Sequence, residues 1–219
     1  MLYTFYKTDI LPDVLQVQGL EIKEVEEPLL MSLIGQISLE ESTRRMANDN
    51  KAYVAYINNV PAAFGWVAMG KARIGELNHE FILPLDHAYL WNFRTLFEFR
   101  GRGIYVHLLQ YIIAAERFHT DCFWIMHAPE NKASKRGIVK AGFKFRGKVS
   151  VINGTEVVYF GDRQEKDLEE VLTTFGFAKI EEEQASCWNC SSPYVKSRKP
   201  ECCCESNDHE CTINLFVAV

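Results

Sequence analysis

The sequence of 219 residues contains no run of about 18 apolar residues, so it offers no candidate for a membrane-spanning helix. Its opening stretch, MLYTFYKTDILPDV, lacks a basic segment followed by an apolar one and does not read as a secretory signal. The cytoplasm is therefore the expected compartment, and no membrane partner is expected. No internal repeat or long low-complexity run is present, which excludes solenoids and fibres. Positive charge is not in excess: 24 Lys and Arg stand against 29 Asp and Glu, a net charge of −5. That balance argues against general binding to nucleic acid. Two phosphate-binding signatures are also missing. Gly101 and Gly103 match the first glycines of a Gly-x-Gly-x-x-Gly dinucleotide fingerprint, but Val106 stands where the third belongs. A Gly-Lys-Ser/Thr P-loop is absent. Cysteine is rare through most of the chain. Of seven, only Cys122 precedes residue 187, and its apolar setting (Cys-Phe-Trp-Ile-Met) predicts a buried core residue.

What is present suits a packed α/β domain with an appendage. Hydrophobic residues make up 47% and charged residues 24%, which is ordinary globular usage. Charge is unevenly placed. Residues 92–148 carry eleven Lys and Arg and four Asp and Glu, a balance of +7, while the remainder carries −12. A basic zone in an acidic chain suits either a small anionic ligand or a solvated basic face.

Apolar spacing predicts a first strand over 20–26, a helix over 39–48 and strands over 51–57 and 62–69. Asn58-Asn59 between the last two predicts a hairpin. Further strands are expected over 72–83 and 87–95. Ile104, Leu108, Leu109, Ile112 and Ile113 recur at helical spacing in 103–118. A short interior strand follows over 121–126. The next helix is expected to carry Pro129 in its first turn and to end at Gly142. Alternation over 143–160 around Asn153-Gly154 predicts a second hairpin, and 163–175 a short helix. This order gives a mixed sheet with helices on its faces, an α+β fold, not a barrel.

The stretch TLFEFRGRGIY, residues 95–105, joins a strand to the long apolar helix through two glycines and two arginines. Glycine lets the backbone approach a ligand closely. The unpaired N–H groups and positive dipole end of a helix start favour phosphate, and Arg100 and Arg102 add full charge. The stretch resembles the pyrophosphate loop of the GNAT superfamily of acyl-CoA N-acyltransferases, Arg/Gln-x-x-Gly-x-Gly/Ala. Tyr105 departs from it, standing where Gly or Ala is usual. A second stretch, NKASKRGIVKAGF over 131–143, resembles the same family's later motif in the right order, and the resemblance covers roughly 20–160.

The resemblance implies a central, mostly antiparallel mixed sheet with flanking helices and a C-terminal hairpin. It implies acetyl-CoA as cosubstrate, lying where the strand before the loop splays from the next parallel strand. Backbone groups of Thr95, Leu96 and Phe97 would hold the pantetheine arm. Those of Arg100, Gly101, Arg102, Gly103, Ile104 and Tyr105 would hold the pyrophosphate, with Asn131 and Ser134 beside the arm. The implied activity is acyl transfer, most simply acetyl, to an unidentified amine. Many members place a Tyr on the last helix as acid for the leaving thiolate; here Gly137-Ile138 occupies that place. This departure favours an alternative, a non-catalytic acyl-CoA-binding or scaffold module. The residues themselves offer Glu76, His79 and Glu80 on one expected strand, and His127 after another, as bases. Glu76 and His127 are the leading candidates.

Composition changes after residue 180, which suggests a domain over 1–180 and a Cys-rich tail over 181–219. Cys187-x-x-Cys190 resembles half of a zinc knuckle, and Cys202 and Cys204 could complete four thiolates. Free or oxidisable thiols and an iron–sulfur cluster remain alternatives, as does a tail that recruits a partner.

Overall fold

The computed structural model describes residues 1–161, 166–183 and 187–195. Its strands are β1 (Leu2–Tyr6), β2 (Leu20–Val25), β3 (Asn50–Ile57), β4 (Val60–Met69), β5 (Lys71–Ile74), β6 (His79–Ile82), β7 (His87–Thr95), β8 (Cys122–Met126), β9 (Lys144–Ile152), β10 (Glu156–Gly161) and β11 (Ala178–Lys179). Helices α1 (Pro28–Gly35), α2 (Leu39–Ala47), α3 (Ile104–Glu116), α4 (Lys132–Lys140), α5 (Lys166–Thr174) and α6 (Trp188–Ser191) lie between and after them. Nine strands form one sheet in the order β11-β10-β9-β1-β8-β7-β4-β3-β2, and β5 and β6 form a separate hairpin. Among the described residues of the large sheet, only β7–β8 and β10–β11 pair in parallel. The architecture is the mixed, mostly antiparallel sheet with flanking helices that the sequence predicts.

Both expected hairpins turn through pairs of left-handed residues. These are Asn58 (φ 49°) with Asn59 (φ 66°), and Asn153 (φ 52°) with Gly154 (φ 74°). Two such residues in succession give the turn whose twist matches paired strands. The strand expected over 72–83 is instead two short strands. A 3-10 turn at Gly75–Leu77 and left-handed Asn78 (φ 49°) fold it back on itself. Glu76 thus sits on a turn, while His79 and Glu80 stay on β6. Pro129 does not open a helix. It lies in a turn before α4, whose N-cap is Asn131; the Asn131 side-chain oxygen accepts from the Ser134 N–H at 3.0 Å.

The sheet separates two packed layers. On one face α3 and α4 bury Ile104, Leu108, Leu109, Ile112, Ile113 and Ile138 against Tyr3, Phe5, Ala88, Leu90, Phe123 and Ile125. On the other, Leu168 and Leu172 of α5 and Trp188 of α6 pack with Leu2, Tyr89, Cys122 and Trp124. Met31 of α1 packs there with Phe64 and Trp66 in a neighbouring cluster. Cys122 is fully buried, as its setting predicts.

β1 was not evident in the sequence. It lies between β8 and β9, so its side chains face both layers: Leu2 one way, Tyr3 and Phe5 the other. Thr4, fully buried, is satisfied by Arg146 Nε at 2.7 Å. The chain then crosses α3 as a strap to reach β2. Gln110 Nε2 donates to the Pro12 carbonyl and His107 Nε2 to that of Leu15, both at 2.8 Å. No helix among the described residues is long and apolar enough to cross a membrane.

Candidate functional site

The site begins where two parallel strands part. β7 pairs with β8 from His87 to Leu90, whose last partner is Ile125. β7 then continues to Thr95 against β4 alone, so among the described residues no strand lies beside the edge of 91–95 that faces away from β4. The cause is a bulge. Phe64 pairs with Arg94 and Trp66 with Trp91, so Gly65 alone faces Asn92 and Phe93. Asn92 takes the extra residue's strain in a left-handed conformation (φ 52°), and the strand bends. Gly65 permits the bend, because a Cβ there would lie 2.0 Å from the Phe93 ring. The result is a wedge between β7 and β8 with unpaired backbone along one wall, which an extended ligand arm can use as it would a strand edge.

The wedge leads into the glycine turn. Leu96 N–H is bonded to the Ala62 carbonyl at 2.8 Å, and a 3-10 turn spans Phe97–Phe99. Of the three residues expected to hold a pantetheine arm, Thr95 lies on the unpaired stretch, while Leu96 and Phe97 lie beyond it. Gly101 (φ 77°) and Gly103 (φ 79°) both need the left-handed region, and a Cβ at either meets nothing within 4 Å, so the loop's outer face is open. Gly103 is the N-cap of α3 and has no side chain to cover the first-turn N–H groups of Ile104 and Tyr105. The arginines are held beside this turn. Arg100 Nε donates to the Thr95 carbonyl (3.2 Å) with its guanidinium over Phe97, and Arg102 Nη2 donates to that of Glu98 (3.1 Å) over Phe99. Arg102 also lines a cavity of about 440 Å³ with Gln18 and Asn58.

Tyr105 and Gly137 fit each other. A Cβ at Gly137 would lie 2.3 Å from the Tyr105 ring, so the bulky residue of α3 occupies the space that glycine leaves on α4. The Tyr105 ring also meets Phe93, with centroids 5.5 Å apart, and its hydroxyl lies 3.3 Å from Ser134 Oγ. A tyrosine hydroxyl thus stands between α3 and α4 at the mouth of the wedge. Burial raises its pKa, an effect that outweighs the opposing Ser134 hydrogen bond, so it carries its proton at neutral pH.

The two leading base candidates lie apart in character. Glu76 is exposed, and its charge raises the pKa of Tyr89, which burial has already raised most. Tyr89 places it near β7 on the face opposite α3. His127 follows β8 and is 5% exposed. Its Nδ1 donates to the Ala128 carbonyl at 2.7 Å, which leaves Nε2 to accept from the Tyr3 hydroxyl at 3.3 Å. Burial above all lowers its pKa to about 4.

Because this value is below the roughly 6.5 of an unfolded His, the unfolded chain binds the proton first as pH falls. The stabilisation is complete above pH 6.5 and is lost between there and about pH 4, in total about 3 kcal/mol. Urea unfolding at pH 7 and pH 4 is expected to show that loss, and a His127→Gln protein to lack that part of it. An identical pH dependence in both proteins is the contrary result.

Among the described residues no group of three or more His, Cys, Asp or Glu could hold a metal. Cys187 is buried at the start of α6; the Cys190 side chain, Cys202 and Cys204 lie outside the described residues.

The sequence reading missed Gly65, Asn92 and Phe93. A helix-interior glycine such as Gly137, which costs about 1 kcal/mol relative to Ala, was a legible sign of close packing.

No family model matches the sequence, and no curated protein does. Solved structures do. A GCN5-related N-acetyltransferase from Kribbella flavida is 16% identical, with TM-score 0.46 over 65% of this chain and 52% of its own. An aminoglycoside 6'-N-acetyltransferase from Acinetobacter baumannii is 19% identical, with TM-score 0.48 over 62% and 97%. The ribosomal-protein-S18-alanine N-acetyltransferase from Escherichia coli is 17% identical, with TM-score 0.47 over 60% and 81%. The chain spans little more than half of the Kribbella structure and 59% of a similar one from Novosphingobium aromaticivorans. Its mostly antiparallel sheet, the splay of β7 from β8 after Leu90 and the glycine turn into α3 match the fold implied by the sequence's resemblance to the GNAT superfamily.

Proposed function

We propose that the chain is an acyl-CoA-dependent N-acyltransferase, with acetyl-CoA as donor and an amine as acceptor. One observation carries the reading: an unpaired strand edge runs into a helix start whose N–H groups are uncovered. That arrangement suits an amide-containing arm ending in a pyrophosphate. In the proposed site, residues 91–95 bind the arm and polarise the thioester carbonyl, and the turn 100–105 takes the phosphates. Asn131 and Ser134 flank the arm.

Attack by the amine expels a thiolate, which needs a proton. Ile138 cannot supply one. The Tyr105 hydroxyl, protonated and aligned by Ser134, fills that role in this reading. Glu76, exposed on the other face, is the candidate to take the amine's proton. His127 is the weaker base, since both its nitrogens are engaged and its pKa is low.

The test combines calorimetry of acetyl-CoA binding with thiol release across an amine panel. Tyr105→Phe is expected to lower kcat 10- to 100-fold, within the usual range for positioned proton transfer, while affinity for CoA stays within about threefold. Unchanged kcat removes Tyr105 from the chemistry. If the parent binds acetyl-CoA and acylates no amine, the non-catalytic acyl-CoA-binding module is the better description.

A further inference from the structure

The segment 187–195 is not a free appendage. Trp188 is 2% exposed, and its indole N–H donates to the Val149 carbonyl at 2.7 Å. The backbone N–H groups of Trp188 and Asn189 donate to the Glu130 carboxylate at 3.3 and 2.7 Å. Fully buried Ser192 donates through Oγ to the Glu76 carbonyl. The segment therefore bridges the Glu76 turn and the turn between β8 and α4, two parts of the chain more than 50 residues apart.

Its position relative to the wedge follows from the layers. α3 and α4 cover one face of the splayed strands, so a second reactant reaches the wedge from the other. On that other face Trp91 of β7 and Met126 of β8 flank the wedge, and both pack in the same cluster as Trp188 and Val195. The segment is thus part of the packed layer on the face from which the wedge is open.

We propose that residues 187–195 form a wall of the amine entrance and help set which acceptors enter, with Glu130 as the positioning residue that holds the wall. This rests on the acyltransferase reading above. It assigns to the start of the Cys-rich tail a role in acceptor selection.

Glu130→Gln keeps the side chain's size and weakens two charge-assisted hydrogen bonds. It is expected to raise KM for the acceptor 5- to 20-fold and to change the ratio of kcat/KM between n-butylamine and spermidine by at least fivefold. KM for acetyl-CoA is expected to stay within twofold, a split that general loosening of the fold does not produce. Trp188→Leu, checked for folding by thermal melting, should act in the same direction. A measurement independent of turnover is titration of 15N-labelled protein with spermidine, in which amides of 187–195 and 128–131 are expected to shift. Unchanged selectivity in both variants, or a titration that leaves those amides unmoved, overturns the proposal. Failure of the parent to bind acetyl-CoA overturns the acyltransferase reading instead, and the amide titration still judges the wall.

Discussion

Gly103→Val is expected to weaken CoA binding by roughly 100-fold, about 2.7 kcal/mol. Two effects act together. Gly103 has φ 79°, where a β-branched residue is strained by roughly 1–3 kcal/mol, so the turn relaxes away from its present path. The added side chain also projects into the open space that a phosphate needs to reach the first N–H groups of α3. Calorimetry with CoA is the measurement, with far-UV circular dichroism to show that the protein remains folded. Gly103→Ala, which shares the φ penalty in milder form and adds less bulk, should fall between parent and Val. Unchanged affinity in folded Gly103→Val would place the phosphates elsewhere and remove the main support for the proposed site.

The second large effect is on stability and lies at the other end of the same helix. Glu116, in the last turn of α3, is 4% exposed. It accepts from Lys51 Nζ at 2.8 and 3.0 Å and from the Tyr53 hydroxyl in a short hydrogen bond. Burial first, then the hydrogen bond and charge of Glu116, hold the Tyr53 pKa far above its usual value, so Tyr53 remains a donor at any working pH. Glu116→Ala removes the nearer acceptor of a buried hydroxyl, leaving Glu24 Oε2 at 3.3 Å, and the partner of a cation. Breaking a buried ion pair in this way costs roughly 3–5 kcal/mol, and Lys51, with a side chain 40% exposed, can recover part of that in water. A loss of about 3 kcal/mol is expected, or roughly 6–12 °C in Tm for a chain of this size. Glu116→Gln, which still accepts from Tyr53, should lose less. A Tm within 2 °C of the parent for Glu116→Ala would show that this network contributes little to stability. CoA affinity in the folded Ala variant should stay near that of the parent, since the proposed phosphate turn at Gly103 lies about 13 residues away, at the opposite end of α3.

Much of the fold was legible because its signals are local. The Asn-Asn and Asn-Gly turns fix their hairpins by backbone chemistry alone, and the spacing from Ile104 to Ile113 admits only a helix with one buried face. Glycines before the long apolar helix marked the turn into α3 for the same reason. What escaped depends on partners distant in sequence. β1 reads as four apolar or aromatic residues around Thr4, with little alternation because both of its faces are buried, and nothing within 100 residues names its partners. The splay needs Gly65 opposite Phe93, and neither half stands out alone; Tyr105 and Gly137 each stand out in the sequence, but only the fold shows that one fills the space left by the other. The division of 72–83 failed on turn chemistry, since Asn78 was read as one more strand residue. Glu130 carries no motif; only the folded 187–195 segment gives it work.

The central place of β1 also bears on the order in which the protein assembles. Its partners are residues 122–126 and 144–147, so β1 leaves the ribosome well before either of its neighbours. Contacts this distant carry a large loop-closure cost and slow the search for the native state. Until β1 inserts, β8 and β9 each present an unpaired edge, that of β8 strongly apolar, open to pairing with another chain. High expression temperatures should therefore yield aggregates through a kinetic route, even from variants whose native state is as stable as the parent's.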